Sequence, residues 1–462
     1  MTTQAPLMVT VSGMRGIAGE SLTREEVGRY LGAFVALLRE RSETPRVVIG
    51  RDGRAGGDEI LRFAIEGLLD AGCDVVSLDV AMTPTVGLLV KELDADGGVV
   101  ITASHNPGQW NGVKCIDSTG AALAPDVAAK LVAAYRDGGA TGSDRPGSLS
   151  ENTDAAMTHV NIVLGAIAEI IPLDSIRDRR FNVVLDSVNA SGRIAGPVLL
   201  EALGCAVTQV AGDDSGVFPH MPEPTEAHLV DLCEQVKRVG ADVGFAQDPD
   251  ADRLAIIDNT GAYIGEEHTL VLAARAILGG GDPQGKPSVA TNLSTSRMID
   301  DALGEIGGAV VRTPVGEANV VSGMRSNNCQ LSGEGNGGVI WPRVVDIRDS
   351  LGAMGLTLAL LTRMKEPLSS VISSYPSYAI CKRKVDTREG LAPAAVAAIG
   401  ERYKDERLDT SDGVRVDFDK QRAWLHVRAS NTEPILRLIA EAPDEATANG
   451  ILDEAQRIVE SL

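Results

Sequence analysis

The chain has 462 residues, and at roughly 150 residues per domain this length predicts about three domains. Its net charge of −21, from 43 basic and 64 acidic residues, argues against a general nucleic-acid or anionic-membrane binder, because phosphate-rich partners attract clustered cations. A small anionic substrate remains possible, since a few cations in one cleft can override the global sign.

Helical and strand patterns alternate from the N-terminal region onward. Thr23 and Glu26 form a capping box that opens a periodic apolar run through Leu38. A buried strand is predicted at 46–50, a helix at 60–72 and a second strand at 73–80. This order predicts an α/β fold with a mixed, largely parallel sheet.

The same unit recurs further along the chain. The stretches 68–80, 199–212 and 302–316 each hold a helix end, a glycine (Gly72, Gly204 and Gly307) and a valine-rich strand. We interpret them as three related α/β domains in series. The alternative is that loops between helices and strands commonly use a C-cap glycine.

Composition suggests where the domains meet. Residues 136–154 are rich in Gly, Ser and Asp and are predicted to be a linker, and further junctions are predicted near 259–265 and 365–378. Short strands and a helix from about Asp444 then indicate a smaller α+β domain. The predicted domains are 1–152, 153–259, 260–370 and 371–462.

Cysteine usage and hydropathy bear on location. The six cysteines form no C-x-x-C pair, which favours buried thiols in a reducing cytoplasm over a disulfide or zinc framework. The first residues lack a signal-peptide pattern, and no apolar run reaches about 18 residues. We therefore expect a cytoplasmic protein with neither a membrane nor a nucleic-acid partner.

The first chemical motif is TASHNP, at 102–107, directly after the predicted strand 97–101. Ser104 then lies at the carboxyl end of a strand, where α/β sheets bind ligands, and its hydroxyl could be a nucleophile or phosphate carrier. His105 is the next residue in the sequence and is therefore poorly placed to act as the base for that hydroxyl. Lys114 follows ten residues later. An ordinary polar turn is the alternative.

The second motif is DPDADR, at 248–253, again after an apolar stretch. In an extended segment, Asp248, Asp250 and Asp252 would converge on one hard cation, and Mg²⁺ would leave room for a phosphate oxygen. The EF-hand pattern fails, because Arg253 and Asn259 stand where Gly and Glu are needed. An aspartyl-phosphatase site with Asp248 as nucleophile, or a solvated acidic turn, remains open.

The third motif, GEGNGG at 333–338, matches the residue pattern of the G-x-G-x-x-G dinucleotide-binding fingerprint but lacks its structural context. Pro342 follows where that fingerprint needs a helix. A loop that presents Glu334 and Asn336 to a polyol or amine is the better interpretation, with a simple glycine turn as the alternative.

The fourth motif, RASNTEP at 428–434, offers several donors suited to a phosphate. Its candidates are Arg428, Ser430, Asn431 and Thr432, with Arg437 nearby. A capped turn is the alternative. Near the N-terminus, Arg15 is predicted on a glycine-flanked turn.

These four motifs, in this order, resemble those of the α-D-phosphohexomutase superfamily over essentially the whole chain. The resemblance implies four domains around a central cleft, the first three related. It also implies an isomerase that moves a phosphoryl group through a hexose or hexosamine 1,6-bisphosphate, which serves as intermediate and activator.

The resemblance further implies a role for each candidate residue. Ser104 would carry the phosphoryl group and bind Mg²⁺ together with Asp248, Asp250 and Asp252. Arg15, His105, Lys114 and Arg253 would line the transfer site, with Lys114 a candidate general acid or base. Glu334 and Asn336 would contact the sugar, and the fourth motif would clamp the phosphate that does not react.

The third loop bears on the sugar. Mannose- and glucose-type relatives commonly carry Glu-x-Ser-Gly-His, whereas this chain has Asn336 and Gly338 in place of the Ser and His. The loop looks more like that of phosphoglucosamine mutases, so we expect glucosamine 6-phosphate and 1-phosphate as the interconverted pair. The alternatives are mannose or glucose phosphate, a Mg²⁺-dependent sugar-phosphate phosphatase and a non-catalytic sugar-phosphate binder. The resemblance leaves monomer and homodimer open.

Overall fold

A computed structural model describes residues 6–139, 142–279, 286–388, 390–430 and 435–462. These residues form four sheets in succession along the chain, each with its own helices. The second and third motifs, at 248–253 and 333–338, lie wholly within the described residues, whereas residues 431–434 of the fourth motif lie outside them.

The first sheet belongs to the N-terminal part of the chain. Its strands are β1 (Met8–Thr10), β2 (Gly13–Ile17), β3 (Arg46–Arg51), β4 (Asp74–Val80), β5 (Gly97–Ile101), β6 (Trp110–Asp117) and β7 (Leu149–Glu151). The helices are α1 (Arg24–Leu38), α2 (Gly57–Asp70), α3 (Thr83–Glu92) and α4 (Pro125–Arg136). The strand order is β1-β2-β6-β5-β3-β4-β7.

The second sheet has four strands. They are β8 (Asn182–Asp186), β9 (Ala206–Val210), β10 (Val243–Gln247) and β11 (Leu254–Ile257). The helices of this region are α5 (Ala155–Ala168), α6 (Leu173–Arg177), α7 (Gly192–Ala202) and α8 (Val230–Val239), with a 3₁₀ turn at Glu226–His228. The strand order is β11-β10-β8-β9.

The third sheet also has four strands. They are β12 (Ser288–Asn292), β13 (Ala309–Thr313), β14 (Leu331–Glu334) and β15 (Gly338–Ile340). The helices are α9 (Glu267–Leu278), α10 (Met298–Gly304), α11 (Glu317–Ser326), α12 (Ser350–Met364) and α13 (Leu368–Ser373). The strand order is β13-β12-β14-β15.

The fourth sheet is antiparallel throughout. Its strands are β16 (Ala379–Asp386), β17 (Arg407–Asp409), β18 (Val414–Phe418), β19 (Ala423–Ala429) and β20 (Ile435–Ala442), in the order β16-β20-β19-β18-β17. The helices are α14 (Leu391–Arg402) and α15 (Glu445–Glu460), with a 3₁₀ turn at Asp419–Gln421. This is the smaller α+β domain that the sequence predicts.

The first three sheets share one topology, which confirms the predicted repeat. In each, the first strand lies between the second and the third, parallel to both, and the fourth strand is antiparallel to the third. The four strands are β3, β4, β5 and β6 in the first sheet, β8 to β11 in the second and β12 to β15 in the third. The fold is therefore α/β with three related, largely parallel units.

Local sequence explains where several helices begin. The Thr23 hydroxyl accepts the Glu26 N–H at 3.3 Å, and Asp444 caps α15 through the Thr447 N–H at 2.8 Å. Asp349 caps the buried helix α12 by accepting the N–H groups of the second and third residues that follow it. Such caps satisfy amide donors that have no partner within the helix.

The repeated glycines have a conformational reason. Gly72, Gly204 and Gly307 have φ of +77°, +78° and +70°, each just before the second strand of its unit. This left-handed conformation costs other residues energy because their Cβ approaches the following carbonyl. The glycine pattern in the sequence thus marks the same turn three times.

The three repeats are held together by apolar packing. One continuous cluster of buried side chains includes Val48 of the first unit, Leu185 of the second and Leu331 of the third, together with much of α12. The fourth domain has a separate core. The first three units therefore form one rigid support for the loops they carry.

Residues 136–154 differ from their prediction as a linker. Residues 149–151 form β7, which pairs in parallel with β4 at the edge of the first sheet. All three residues are exposed, so this strand lacks the apolar pattern by which a buried strand is recognised in a sequence. The other domain boundaries stay a prediction.

Among the described residues, no helix combines the length and apolarity that crossing a bilayer requires.

The contrast between two glycines of the second unit predicts a stability difference. Gly204→Ala and Gly240→Ala both place alanine at positive φ, which costs about 1–2 kcal/mol. A Cβ at Gly204 would also lie 2.8 Å from the Arg177 Cα, whereas a Cβ at Gly240 meets nothing within 4 Å. We expect Gly204→Ala to lower the thermal unfolding midpoint more, and equal midpoints would contradict this prediction.

Candidate active site

Three of the four motifs occupy the same position in the three repeats. Ser104 lies between β5 and β6, the aspartates at 248–252 lie between β10 and β11, and Glu334 ends β14 just before the turn into β15. Each is the link from the third strand to the fourth. The repeated topology therefore brings three separate stretches of sequence to equivalent places around one cleft.

Ser104 is buried in a constrained turn. Its φ is +50°, a conformation that non-glycine residues adopt rarely and at an energetic cost. Its hydroxyl lies 3.1 Å from Asp248 Oδ2, to which it donates, and 3.3 Å from His105 Nδ1. The serine oxygen is thus aimed directly at the aspartate cluster of the second repeat.

A buried arginine holds the turn that contains Ser104 through hydrogen bonds to its backbone. The Arg54 guanidinium donates to the backbone carbonyls of Ser104, Asn106 and Trp110 and pairs with Asp52 at 2.7 Å. The Thr102 hydroxyl donates to Asp52 at 2.6 Å and accepts the Ser104 N–H at 2.8 Å. This network fixes the backbone on both sides of the serine.

The three aspartates converge through a turn, which corrects the expected extended segment. Ala251, in the middle, has φ of +54°. Asp248, Asp250 and Asp252 are fully buried, and one carboxylate oxygen from each lies within 4.8 Å of the others. A turn directs the three side chains to one point, whereas the alternation of a strand would leave them in a row.

The three carboxylates have different electrostatic surroundings, which shift the pKa values of Asp248 and Asp250 in opposite directions. Burial, reinforced by the charges of Asp252 and Asp250, raises the pKa of Asp248 well above its usual value. Burial also raises the pKa of Asp250, but Lys114, 2.6 Å away, and the Thr83 hydroxyl outweigh it and hold that pKa low. Asp252 pairs with Arg348 at 2.6 Å.

The residues fit a divalent cation. Asp250 Oδ1 and Asp252 Oδ1 are buried and accept no hydrogen bond from any described residue. Three buried carboxylates so close together repel one another, and oxygen atoms are the ligands that Mg²⁺ prefers. The cluster, with the Ser104 oxygen beside it, is therefore a candidate metal site.

Cations surround the serine. Arg15 donates to the Asn106 side chain at 2.7 Å. Arg253 Nε is buried without a hydrogen-bond partner among the described residues and lies 3.9 Å from Asp252 Oδ1. Arg15 lies inside β2, not on the predicted glycine-flanked turn, because β2 pairs with both β1 and β6, and Gly13 allows the close approach to β6. Burial, helped by Arg253 and Arg15, lowers the pKa of His105 to about 3, so its imidazole is neutral at neutral pH.

Lys114 lies on β6 with its ammonium group between two aspartates, 2.6 Å from Asp250 and 3.8 Å from Asp252. Burial lowers its pKa, but these two carboxylates outweigh burial and raise the pKa overall. Its position brings a positive charge to the edge of the aspartate cluster.

The third-repeat residues are tied into a network. Glu334 accepts from Asn292 at 2.8 Å and from Arg348 at 2.9 Å, and Asn336 Oδ1 accepts the Gly338 N–H at 3.2 Å. Arg348 therefore connects the sugar-loop candidate Glu334 with Asp252 of the metal-site candidate.

A cleft of about 440 Å³ gathers these groups. Its lining includes residues from all three repeats, among them Arg15, Ser104, Lys114, Arg253, Glu334 and Arg348. The volume is in the range of small-molecule sites. The cleft is polar and cationic at the serine and contains carboxylates on the third-repeat side.

The fourth motif lies partly within the described residues. Arg428 ends β19 directly opposite Arg437 on β20, and it also pairs with Asp412 at 2.8 Å. Two arginines facing each other on one side of a sheet repel unless an anion lies between or beside them. Asn431 and Thr432 lie outside the described residues, and Ser430 is described only at the edge of the β19–β20 link.

Several residues of the site escape prediction from sequence. Asp52 and Arg54 follow β3, where a strand ending is the only signal. Arg348 and Glu317 lie in loops or helix starts without a recognisable motif, and Asp412 lies in an ordinary turn. Their role follows from partners distant along the chain, so only the fold shows it.

Comparison with known protein families agrees with this succession of four domains. Models of the phosphoglucomutase/phosphomannomutase family match residues 7–141 (alpha/beta/alpha domain I), 164–261 (domain II), 265–378 (domain III) and 381–458 (C-terminal domain).

Individual proteins are similar over nearly the full length. The chain is 37% identical to a phosphoglucomutase/phosphomannomutase of Thermococcus kodakarensis, covering 97% of each chain. It is 35% identical to a probable phosphoglucosamine mutase of Methanopyrus kandleri, covering 97% of this chain and 96% of the relative. A solved structure of a phosphoglucomutase/phosphomannomutase family protein from Burkholderia thailandensis is 27% identical, with a TM-score of 0.84 over 98% of this chain and 97% of the other.

The support under Ser104 predicts a positioning role for Thr102. Thr102→Val keeps the shape of the side chain but removes its bonds to Asp52 and to the Ser104 N–H. We expect kcat for sugar-phosphate conversion to fall about tenfold to a hundredfold, with a small change in KM, because a displaced Ser104 hydroxyl loses its alignment. Thr102→Ser keeps the hydroxyl and is expected to retain most of the activity. A large loss with Thr102→Ser, or none with Thr102→Val, would contradict this role.

Proposed function

The chain belongs to the phosphoglucomutase/phosphomannomutase family and is a phosphohexomutase, and we propose that it interconverts glucosamine 6-phosphate and glucosamine 1-phosphate. The observation that carries the mechanism is the buried Ser104 hydroxyl, 3.1 Å from Asp248 at a cation-lined cleft. Family membership favours this isomerase over the phosphatase and simple-binder alternatives.

Ser104 is the proposed phosphoryl carrier. The bond between phosphorus and Ser104 Oγ breaks as a bond to a sugar hydroxyl oxygen forms. The sugar hydroxyl gives up its proton, and the departing Ser104 Oγ takes one up. The bisphosphate then presents its other phosphoryl group, which returns to Ser104 Oγ. Lys114 is our candidate for the group that exchanges the proton with the sugar oxygen, because it lines the cleft beside the aspartates.

Asp248, Asp250 and Asp252 would hold Mg²⁺ together with the serine oxygen. When bound, the ion neutralises charge on the transferring phosphoryl group, the main requirement of this chemistry. Arg15 and Arg253 supply further positive charge, and both line the cleft with Ser104. The neutral His105 imidazole accepts or donates one hydrogen bond near the serine oxygen without adding charge.

The remaining residues are proposed to hold the rest of the substrate. Glu334 and Asn336 would contact the sugar, and the Arg428–Arg437 pair, with Ser430, Asn431 and Thr432, would clamp the distal phosphate. A phosphate is nearly the same ligand at either end of the sugar, so one clamp serves both orientations of the bisphosphate.

The sugar assignment rests on the third loop, where Asn336 and Gly338 replace the Ser and His of mannose- and glucose-type enzymes, and it is supported by the similarity to a probable phosphoglucosamine mutase. The second candidate is a phosphomannomutase/phosphoglucomutase, favoured by the name and 37% identity of the Thermococcus relative.

A comparison of substrates tests the assignment. We expect kcat/KM for glucosamine 6-phosphate, with Mg²⁺ and a 1,6-bisphosphate activator, to exceed that for mannose and glucose phosphates about tenfold or more. Mass spectrometry should locate phosphate on Ser104, and Ser104→Ala should abolish turnover. A preference for mannose or glucose phosphate would refute the sugar, and phosphate on Asp248 would refute the mechanism.

Metal binding can be measured without turnover. We expect Mg²⁺ to raise the thermal unfolding midpoint of the wild type, since it relieves repulsion among buried carboxylates. Asp248→Asn keeps the side-chain shape and removes one charge, so the metal-free variant should be more stable than the metal-free wild type. Its Mg²⁺-dependent shift should be lost, and an undiminished shift would place the ion elsewhere.

A further inference from the structure

One guanidinium in the cleft faces three carboxylates. Arg348 lies 2.6 Å from Asp252, 2.9 Å from Glu334 and 3.5 Å from Glu317, and it is almost fully buried. Asp252 belongs to the candidate metal site. The guanidinium of Arg348 therefore serves three carboxylates, and Lys114, the next cation, lies on the Asp252 side at 3.8 Å.

Of the two glutamates, Glu317 is the one with a carboxylate oxygen that accepts no hydrogen bond from a described residue. Both oxygens of Glu334 have partners, in Asn292 and Arg348. Only Oε1 of Glu317 is engaged, by the Arg348 N–H at 2.9 Å and by its guanidinium, and no described residue donates to Oε2. Burial raises the pKa of Glu317 more than Arg348 lowers it.

Glu317 lies between the two ends of the site. It opens α11 after Gly316, whose φ of +128° turns the chain into the cleft, and both residues line it. On one side, Arg348 connects Glu317 to Asp252. On the other side, the Val315 N–H donates to Asp412 at 3.0 Å, and Asp412 pairs with Arg428. A sugar with one phosphate at Ser104 and the other at Arg428 would span this segment.

We propose that Glu317 is a specificity-determining residue that binds the ammonium group of a hexosamine phosphate, an inference that rests on the proposed function and names the contact that selects its substrate. An ammonium group supplies the positive charge that the Arg348 cluster lacks, whereas the hydroxyl of a neutral hexose does not. Asn336 is less suited to this task, because its amide oxygen already accepts the Gly338 N–H.

The test uses the full-length enzyme with Glu317→Gln. The amide oxygen of glutamine can still accept the Arg348 N–H, so the local fold is preserved while the charge is removed. We expect the ratio of kcat/KM for glucosamine 6-phosphate to that for glucose 6-phosphate to fall about tenfold to a hundredfold, the range of a charge-assisted contact. The fall should lie mainly in KM for the amino sugar. Asp346→Asn, which removes a carboxylate paired with Arg325 outside the cleft, is the matched control and should leave the ratio unchanged.

A second measurement needs no change at Glu317. In the Ser104→Ala background, we expect glucosamine 1-phosphate to bind about tenfold or more tightly than its N-acetyl derivative, which lacks the charge. Equal binding would overturn the inference even if Glu317→Gln failed to fold. A wild type that prefers glucosamine phosphate and keeps its ratio after Glu317→Gln would also overturn it and leave the proposed function intact. A wild type without that preference would refute the proposed function first.

Discussion

The structure depends on the concentration of negative charge next to Ser104. Three buried carboxylates lie within 4.8 Å of one another, which in a site with little solvent is strongly unfavourable unless cations are brought to it. Lys114 and Arg348 each approach one aspartate to 2.6 Å, and two carboxylate oxygens still accept no hydrogen bond from the described residues. The arrangement fits a binding site for a divalent ion, and the nearby cations and turns lie around that candidate site.

The repeated topology explains how such a site can be assembled. Each repeat ends its parallel strands at the same edge and returns through one antiparallel strand, and the link before that strand carries Ser104, the aspartates or Glu334. A shared apolar core fixes the three repeats relative to one another. The fourth domain has its own core and meets the third partly through polar contacts, such as Ser294 with His426 and Arg297 with Glu441. Apolar packing thus fixes the three repeats around Ser104 and the aspartates, while these polar contacts join the fourth domain to the third.

Much of this could be predicted because each motif is contiguous and follows a strand. The repeat and the α/β class derive from local patterns, whereas the meeting of Ser104 with the aspartates is expected from the family resemblance. The position of Arg15 in a strand, the edge strand at 149–151 and the turn at Ala251 could not, because pairing partners and positive φ at a non-glycine residue leave no periodic signal. The family resemblance supplied roles for the motif residues, but it offered no indication of the supports beneath them.

The supports matter because they couple the parts of the site. Arg54 joins the carbonyl of Ser104 and those of Asn106 and Trp110 after it to Asp52, although Arg54 lies 50 residues or more from them in the sequence. Arg348 joins Asp252 to Glu334 and Glu317, so one guanidinium contacts both the candidate metal site and the candidate sugar site. A cation bound by the aspartates would compete with Arg348 for Asp252 and would leave more of the guanidinium's charge to the two glutamates. If the proposed roles hold, the charge that a substrate brings to the candidate sugar site would then depend on occupancy of the candidate metal site, because Arg348 joins the two into one electrostatic unit.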